Sequence, residues 1–207
     1  GRILMRQSAD TVKKMSLELG GNAPLLVFDD ADLDVAVEGA MLSKFRNAGQ
    51  TCVCANRIFV QDGIYDAFAK RLAEKAASMT VGVGTNDGVD QGPLIDQQGF
   101  EKVCSHVEDA IANGANVMAG GKPHSLGGTF FEPTVMTGMT PKMRMFREET
   151  FGPVAGLFRF SDEAEAIEAA NDTEFGLAAY LFTENAARLF RVSEALEYGI
   201  IAANTGI

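Results

Sequence analysis

The 207-residue sequence contains no tryptophan, two histidines and three cysteines. So few cysteines, in an odd number, do not suit a disulfide scaffold, and they favour a reducing, cytoplasmic compartment. Zinc sites need a set of ligands at recognisable spacing. This chain offers Cys52, Cys54, Cys104, His106 and His124, without a paired CxxC or HxxxH. We therefore expect no metal site, and on the simplest interpretation Cys104 packs in the core while His106 faces solvent.

Positive charge and long apolar runs are also scarce. The chain has 18 Lys and Arg residues and 28 Asp and Glu residues, which gives a net charge of −10. Such a surface repels phosphate backbones and anionic membranes unless a basic patch overrides it, and we find no such patch. The apolar stretches fall far short of the roughly 20 residues that a membrane helix needs. Nucleic acids and membranes are therefore not expected partners, and the 46% hydrophobic composition favours a buried core.

Apolar residues follow strand and helix periodicities in turn along most of the chain. Strands are predicted over Lys14–Leu19, Leu25–Phe28, Ile58–Val60, Ala115–Met118, Thr134–Val135, Val154–Phe160, Ala178–Phe182 and Ile200–Asn204, and helices over Leu33–Ala48, Ile64–Met79, Phe100–Ile111, Glu163–Asn171 and Ala186–Leu196. Strands that alternate with helices of this kind form parallel βαβ units. The fold class is therefore α/β, with an open, mostly parallel sheet and helices on both faces.

Three short blocks combine a reactive or acidic side chain with adjacent glycines. They are LELGGNAP over Leu17–Pro24, FRNAGQTCVCAN over Phe45–Asn56, and EETFGP over Glu148–Pro153. Glycine lets a ligand or another segment of backbone approach closely. Taken singly, each block has an ordinary structural explanation, because Glu18 could simply end a strand and Cys52 could be inert. Taken together, the blocks resemble the aldehyde dehydrogenase superfamily, and the resemblance runs from Gly1 to Ile207.

The resemblance implies a catalytic role for two residues. Phe45, Gly49, Gln50 and Cys52 match the motif of the family's nucleophile, and Glu18, 34 residues before Cys52, matches its general base. A thiolate at Cys52 would attack an aldehyde, hydride would pass to NAD or NADP, and Glu18 would activate the water that hydrolyses the thioester. Hydrolysis is favoured because relatives that transfer the acyl group to coenzyme A typically lack this base.

The same resemblance implies contacts with the cofactor, which is NAD or NADP. Glu149 and Phe151 match residues that contact the ribose and ring of the nicotinamide nucleotide in the family. Lys102, 50 residues after Cys52, matches a lysine near the same ribose. We expect the choice between NAD and NADP to lie in sequence outside this chain.

Arg46, six residues before Cys52, indicates the substrate. The FRNxGQTCVC pattern resembles the succinate-semialdehyde dehydrogenase branch, in which this arginine binds the substrate's distal carboxylate. A planar guanidinium suits that task because it offers two parallel donors. Arg46 could instead be a helix-surface residue that pairs with an acid. Glutarate semialdehyde is the nearest competing substrate, since one methylene changes binding by only about 1 to 3 kcal/mol; a general aldehyde is a further alternative.

Cys54 has two possible roles. It could form a reversible disulfide with Cys52 and so stop activity under oxidation. Alternatively, it is a small buried side chain without chemistry.

The domain organisation follows from the same resemblance. Residues 1–19 are expected to be a remnant of the dinucleotide-binding domain, and residues 20–207 the catalytic domain. The full-length protein is expected to be a homodimer or homotetramer, and this piece alone to be inactive as a dehydrogenase. The competing hypothesis is a truncated, non-catalytic oligomerisation module.

Overall fold

A computed structural model describes residues 1–206 of the chain, so that Ile207, the last residue of the expected catalytic domain, lies outside the described part. The strands are β1 (Ala23–Val27), β2 (Ala55–Gln61), β3 (Asn116–Ala119), β4 (Thr134–Met139), β5 (Val154–Phe160), β6 (Ala178–Phe182) and β7 (Ile200–Ala203). The α-helices are α1 (Arg2–Ala9), α2 (Leu33–Phe45), α3 (Tyr65–Ala77), α4 (Gln97–Ala112), α5 (Arg144–Arg147), α6 (Glu163–Asn171) and α7 (Ala186–Ala195).

These strands form one seven-stranded sheet in the order β3-β4-β5-β2-β1-β6-β7. Neighbouring strands are parallel except for the edge strand β3, which runs antiparallel to β4. Helices cover both faces: α2 and α3 pack on one, while α4, α5, α6 and α7 contribute side chains to the core on the other. The expected α/β fold, an open and mostly parallel sheet with helices on both faces, is confirmed.

Strand β1 shows why both faces must be covered. Its five residues are all buried, and successive side chains point to opposite faces. Leu25 and Val27 therefore join the core under α2 and α3, while Leu26 joins the core on the other face. A strand buried on both faces is continuously apolar, which is the pattern that the sequence shows here.

The beginning of the chain differs from the prediction. Residues 13–20, which include the predicted strand Lys14–Leu19, have no regular structure and are nearly all exposed. The position between β2 and β6 is occupied by β1, so this segment, which leads directly into β1, has no place in the central part of the sheet. Helix α1 precedes it and buries none of its residues.

No helix within the described residues is long and apolar enough to cross a membrane.

Candidate active site

The three glycine-rich blocks meet because each leads into a different strand of one neighbouring set. LELGGNAP leads into β1, the cysteine block into β2, and EETFGP into β5. These strands are adjacent and parallel, in the order β5-β2-β1. Because the amino ends of parallel strands lie at the same edge of a sheet, the blocks converge there although up to about 130 residues separate them.

Glycines allow the blocks to touch through their backbones. A side chain at Gly21 would overlap the carbonyl of Cys52, and one at Gly20 would meet the carboxylate of Glu149. Gly49 lies equally close to the carbonyl of Gly152 and has a φ of +72°, a conformation that favours glycine. Each pair of blocks is thus in contact at a glycine, and at Gly21 and Gly49 the neighbouring backbone leaves no room for a side chain.

The loop that carries Cys52 begins where α2 ends. The chain leaves α2 through a short 3₁₀ turn in which Asn47 and Ala48 have φ values of 52° and 56°. The helix therefore ends at Phe45, before the predicted Ala48. Gln50 then anchors the loop, because its Oε1 accepts a hydrogen bond from the amide of Ile95 at 2.9 Å. Cys52 lies half-buried in the turn that follows.

A cleft of about 600 Å³ opens beside Cys52. It brings together five of the six residues expected to act in catalysis or in cofactor and substrate binding. Its lining consists of Glu18, Leu19, Gly20, Gln50, Thr51, Cys52, Ile95, Asp96, Gln98, Gly99, Lys102, Glu149, Thr150 and Phe151. A thiol, three carboxylates, a cation and an aromatic ring therefore share one concave surface.

The three side chains expected to contact the cofactor, Glu149, Phe151 and Lys102, all line the cleft. Glu149 is half-buried, and its Oε1 accepts a hydrogen bond from the amide of Gly21 at 2.8 Å. A held carboxylate of this kind can accept hydrogen bonds from ribose hydroxyls. Phe151, which is 36% exposed and has a φ of 54°, presents a ring to the cleft. The ammonium group of Lys102 supplies a cation from α4.

Arg46 is the expected site residue that does not line the cleft. It is exposed at the end of α2, and its side chain forms no ion pair within residues 1–206. Burial raises the pKa of the Tyr180 hydroxyl to about 12, charges at Cys54 and Cys52 add to that rise, and Arg46 opposes it. The guanidinium therefore acts electrostatically on Tyr180, whose hydroxyl donates a hydrogen bond to the carbonyl of Val53 in the cysteine loop at 2.6 Å.

Cys54 is buried within that loop. Its Sγ lies 2.8 Å from the hydroxyl of Thr51 and 3.9 Å from the carbonyl of Arg46. The three cysteines are free thiols.

Sequence reasoning misplaced His106. We expected it to face solvent, but it is fully buried between α4 and the EETFGP block. Its ring nitrogens lie 3.2 Å from the hydroxyl of Thr150 and 3.1 Å from the carboxylate of Glu148. Burial lowers the pKa of His106, while its hydrogen bond to Glu148 opposes the shift.

Lys44 is a second functional candidate that was missed. It is 1% exposed, although it is a lysine, and it lies on α2 among apolar neighbours. Burial lowers its pKa, and the negative charges of Cys54 and Glu149 counteract that shift. The available signal was a lysine that continues the apolar spacing of α2, which indicates a buried cation.

Histidine, cysteine and acidic side chains do not gather into a group of three or more that could hold a metal ion anywhere in residues 1–206.

Comparisons with known proteins identify the family. The aldehyde dehydrogenase family model matches residues 1–207. The chain is 61% identical over 205 residues to the 3-sulfolactaldehyde dehydrogenase of Pseudomonas putida, covering 99% of this chain and 42% of that protein. It is 58% identical over 207 residues to a glutarate-semialdehyde dehydrogenase of Pseudomonas aeruginosa, covering 100% and 43%. The crystal structure of succinate-semialdehyde dehydrogenase from Burkholderia pseudomallei superposes with a TM-score of 0.98 at 60% identity, covering 100% and 43%.

The chain thus spans less than half the length of the relatives that it matches. Those relatives are oxidoreductases, and aldehyde dehydrogenases of this kind use NAD or NADP. The family match covers every residue and the relatives exceed half identity. The chain belongs to the aldehyde dehydrogenase family.

Proposed function

We propose that the protein containing this chain oxidises a small aldehyde with a distal anionic group, foremost succinate semialdehyde to succinate, with NAD or NADP. The observation that carries this proposal is the shared cleft, which is lined by Cys52, Glu18 and Glu149 together with Phe151 and Lys102. A thiol that shares a cleft with a carboxylate suits a covalent acyl mechanism in which the first is the nucleophile and the second the base.

The chemistry begins at Cys52. Its thiolate attacks the aldehyde carbon, a C–S bond forms, and the carbonyl electron pair moves to oxygen. The backbone amide of Cys52 can donate to that oxyanion, since it has no acceptor within residues 1–206. The oxidised nicotinamide, when bound, accepts the hydride that the carbon loses, and a thioester remains.

Glu18 completes the turnover. It takes a proton from water, and the resulting hydroxide attacks the thioester carbon. The C–S bond breaks, the thiolate of Cys52 leaves, and the carboxylic acid is released. Glu18 suits this role because it is exposed at the cleft and can exchange its proton with solvent.

The anionic substrate is inferred from Arg46 and from the relatives. Succinate semialdehyde, glutarate semialdehyde and 3-sulfolactaldehyde, after which relatives are named, are all aldehydes that carry a carboxylate or a sulfonate. The guanidinium of Arg46, which forms no ion pair within residues 1–206, is a suitable partner for such a group.

Replacing Arg46 with glutamine tests the substrate class. We expect Arg46→Gln to lower kcat/KM for succinate semialdehyde by roughly 10- to 100-fold, because a hydrogen bond to a charged group contributes about 1.5 to 3 kcal/mol. Butanal, a neutral aldehyde of the same length, should lose less than about threefold. Initial rates of NAD(P)H formation measure both, and glutarate semialdehyde should respond as succinate semialdehyde does.

The matched control for this experiment is Arg71→Gln, which removes an exposed arginine of α3 that pairs with Asp34. It should leave both substrates unchanged. Equal losses for butanal and succinate semialdehyde in Arg46→Gln would show that Arg46 does not select an anion.

We propose that Cys54 is the redox partner of Cys52. Hydrogen peroxide would oxidise the two thiols to a disulfide and be reduced to two waters, which removes the nucleophile. The hydrogen bond between Cys54 and Thr51 would have to break first. In the cytoplasm, the proposed compartment, both thiols would ordinarily stay reduced.

Peroxide treatment of Cys54→Ala tests this switch. We expect the unaltered enzyme to lose activity and recover it with dithiothreitol, whereas Cys54→Ala should lose activity that dithiothreitol restores poorly, because a lone Cys52 oxidises further. Cys104→Ala, which removes the cysteine of α4, is the control and should behave like the unaltered enzyme. The same reversible loss in Cys54→Ala would exclude the disulfide.

We also propose that residues 1–19 belong to the cofactor-binding domain and residues 20–207 to the catalytic domain of a homodimer or homotetramer. Helix α1 supports the boundary, because it buries none of its residues in the described chain and Ile3, Leu4 and Met5 are all more than half exposed. Apolar side chains in such positions suit a surface that is covered in the whole protein.

A further inference from the structure

Two buried side chains bind the residues on both sides of Glu149. The first is Asn56, which is 2% exposed at the start of β2. Its Nδ2 donates to the carbonyl of Glu148 at 3.1 Å, and its Oδ1 accepts from the amide of Thr150 at 3.1 Å. Those groups belong to the two peptide units that flank Glu149, so one amide side chain holds the backbone of that residue on both sides.

The second is His106, which binds the side chains of the same two neighbours. Nδ1 lies 3.2 Å from Oγ1 of Thr150, and Nε2 lies 3.1 Å from a carboxylate oxygen of Glu148. The hydrogen bond from Arg144 lowers the pKa of Glu148 to about 2, so this carboxylate only accepts. Nε2 of His106 therefore carries the proton, and Nδ1 accepts from the hydroxyl of Thr150.

The carboxylate end of Glu149 is held by a connected part of the same network. Oε1 accepts from the amide of Gly21 at 2.8 Å. The next residue, Asn22, is 1% exposed, and its Oδ1 accepts from Nδ2 of Asn56 at 2.6 Å. The backbone around Glu149 is therefore hydrogen-bonded to the side-chain amide of Asn56, and the carboxylate of Glu149 is connected to the same amide through Gly21 and Asn22. Asn56 lies four residues after Cys52 in the chain.

We propose that Asn56 and His106 are positioning residues that fix Glu149 for binding the cofactor's ribose. This inference rests on the proposed function, in which Glu149 contacts that ribose. Unpaired polar groups are costly when buried, and here their hydrogen bonds converge on the two neighbours of a single cleft residue. A displacement of about 1 Å in such a residue can cost a large rate factor.

Two substitutions of His106 each keep only one of its two hydrogen bonds. Glutamine can still donate to Glu148, and asparagine can still accept from Thr150, but neither side chain bridges both. We expect His106→Gln and His106→Asn each to lower kcat/KM for NAD(P)⁺ about tenfold in the complete gene product. Hydrolysis of p-nitrophenyl acetate without cofactor, which needs only Cys52 and Glu18 under the proposed mechanism, should stay within about twofold.

Thr150→Val provides a second variant if His106 substitutions fail to fold, because it removes only the hydroxyl that bonds to Nδ1. The same selective loss is expected, and Thr150→Ser should restore kcat/KM for NAD(P)⁺. His124→Gln, which changes the other histidine of the chain, is the control and should alter neither assay.

Equal losses in the cofactor-dependent and ester assays, or no loss in either, would overturn the positioning role. Glu149→Gln separates this failure from failure of the proposed function. If Glu149→Gln leaves kcat/KM for NAD(P)⁺ unchanged, then Glu149 does not bind the cofactor. If it lowers that value while the His106 and Thr150 variants do not, the proposed function stands and the positioning role is wrong.

Discussion

Cys52→Ala is expected to reduce the NAD(P)-linked oxidation of succinate semialdehyde by about four orders of magnitude or more, since removing a covalent nucleophile leaves only binding and electrostatic effects. Cys52 lines the cleft with Glu18, and its half-exposed side chain is open to a substrate. Cys54 is the nearest other cysteine in the sequence, but it is 6% exposed and bonded to Thr51. It is therefore not placed to replace the nucleophile.

Two measurements make this prediction specific. Steady-state rates on the complete gene product give kcat, and calorimetry gives the affinity for NAD(P)⁺, which should change little because Glu149, Phe151 and Lys102 remain. Cys104→Ala is the matched control and should keep full activity. Substantial turnover by Cys52→Ala would refute covalent catalysis at this residue.

The central strands and helices could be predicted from the sequence because their bounds depend on local features, namely continuous apolar runs for the strands and a capping residue for the helix. Val154–Phe160, Ala178–Phe182 and the helix Glu163–Asn171 have the predicted bounds. Apart from the exposed Arg159, the strands are apolar runs buried on both faces, and the helix is preceded by Asp162, whose side chain accepts hydrogen bonds from two amides of its first turn. Local chemistry sets these bounds.

The predicted strand Lys14–Leu19 was wrong for a reason that local pattern does not contain. Apolar alternation indicates a strand only where a partner strand is available, and the neighbouring sheet positions are already occupied by β2 and β6 on either side of β1. The antiparallel direction of β3 likewise depends on where the chain returns after α4.

Apart from Lys102, the expected cleft residues came from the three glycine-rich blocks, whereas the hydrogen-bond network of Asn56 and His106 was not predicted. Asn56 bonds to residues about 90 positions later in the chain, and His106 to residues about 40 positions later. Helix and strand periodicities relate residues only a few positions apart, so they give no signal for contacts over these separations. The one readable signal was Lys44, a charged residue at an apolar position of α2.

Glu18→Gln is expected to separate the two halves of the reaction. Glutamine keeps the shape of the side chain but cannot take a proton from water, so hydrolysis of the thioester should slow by roughly 10²- to 10⁴-fold. Attack by Cys52 and hydride transfer do not need this base in the proposed mechanism. The first turnover should therefore appear as a rapid burst of NAD(P)H close to the enzyme concentration, followed by slow steady-state turnover.

Hydroxylamine provides the decisive control for Glu18→Gln, because it attacks a thioester without a general base. It should restore turnover and release a hydroxamate, which shows that the acyl group had accumulated on Cys52. Asp10→Asn, a charge removal in the exposed turn after α1 and outside the cleft, should leave both phases unchanged. A variant without a burst would place Glu18 before the thioester, as the base that activates Cys52, since the carboxylate and the thiol line the same cleft.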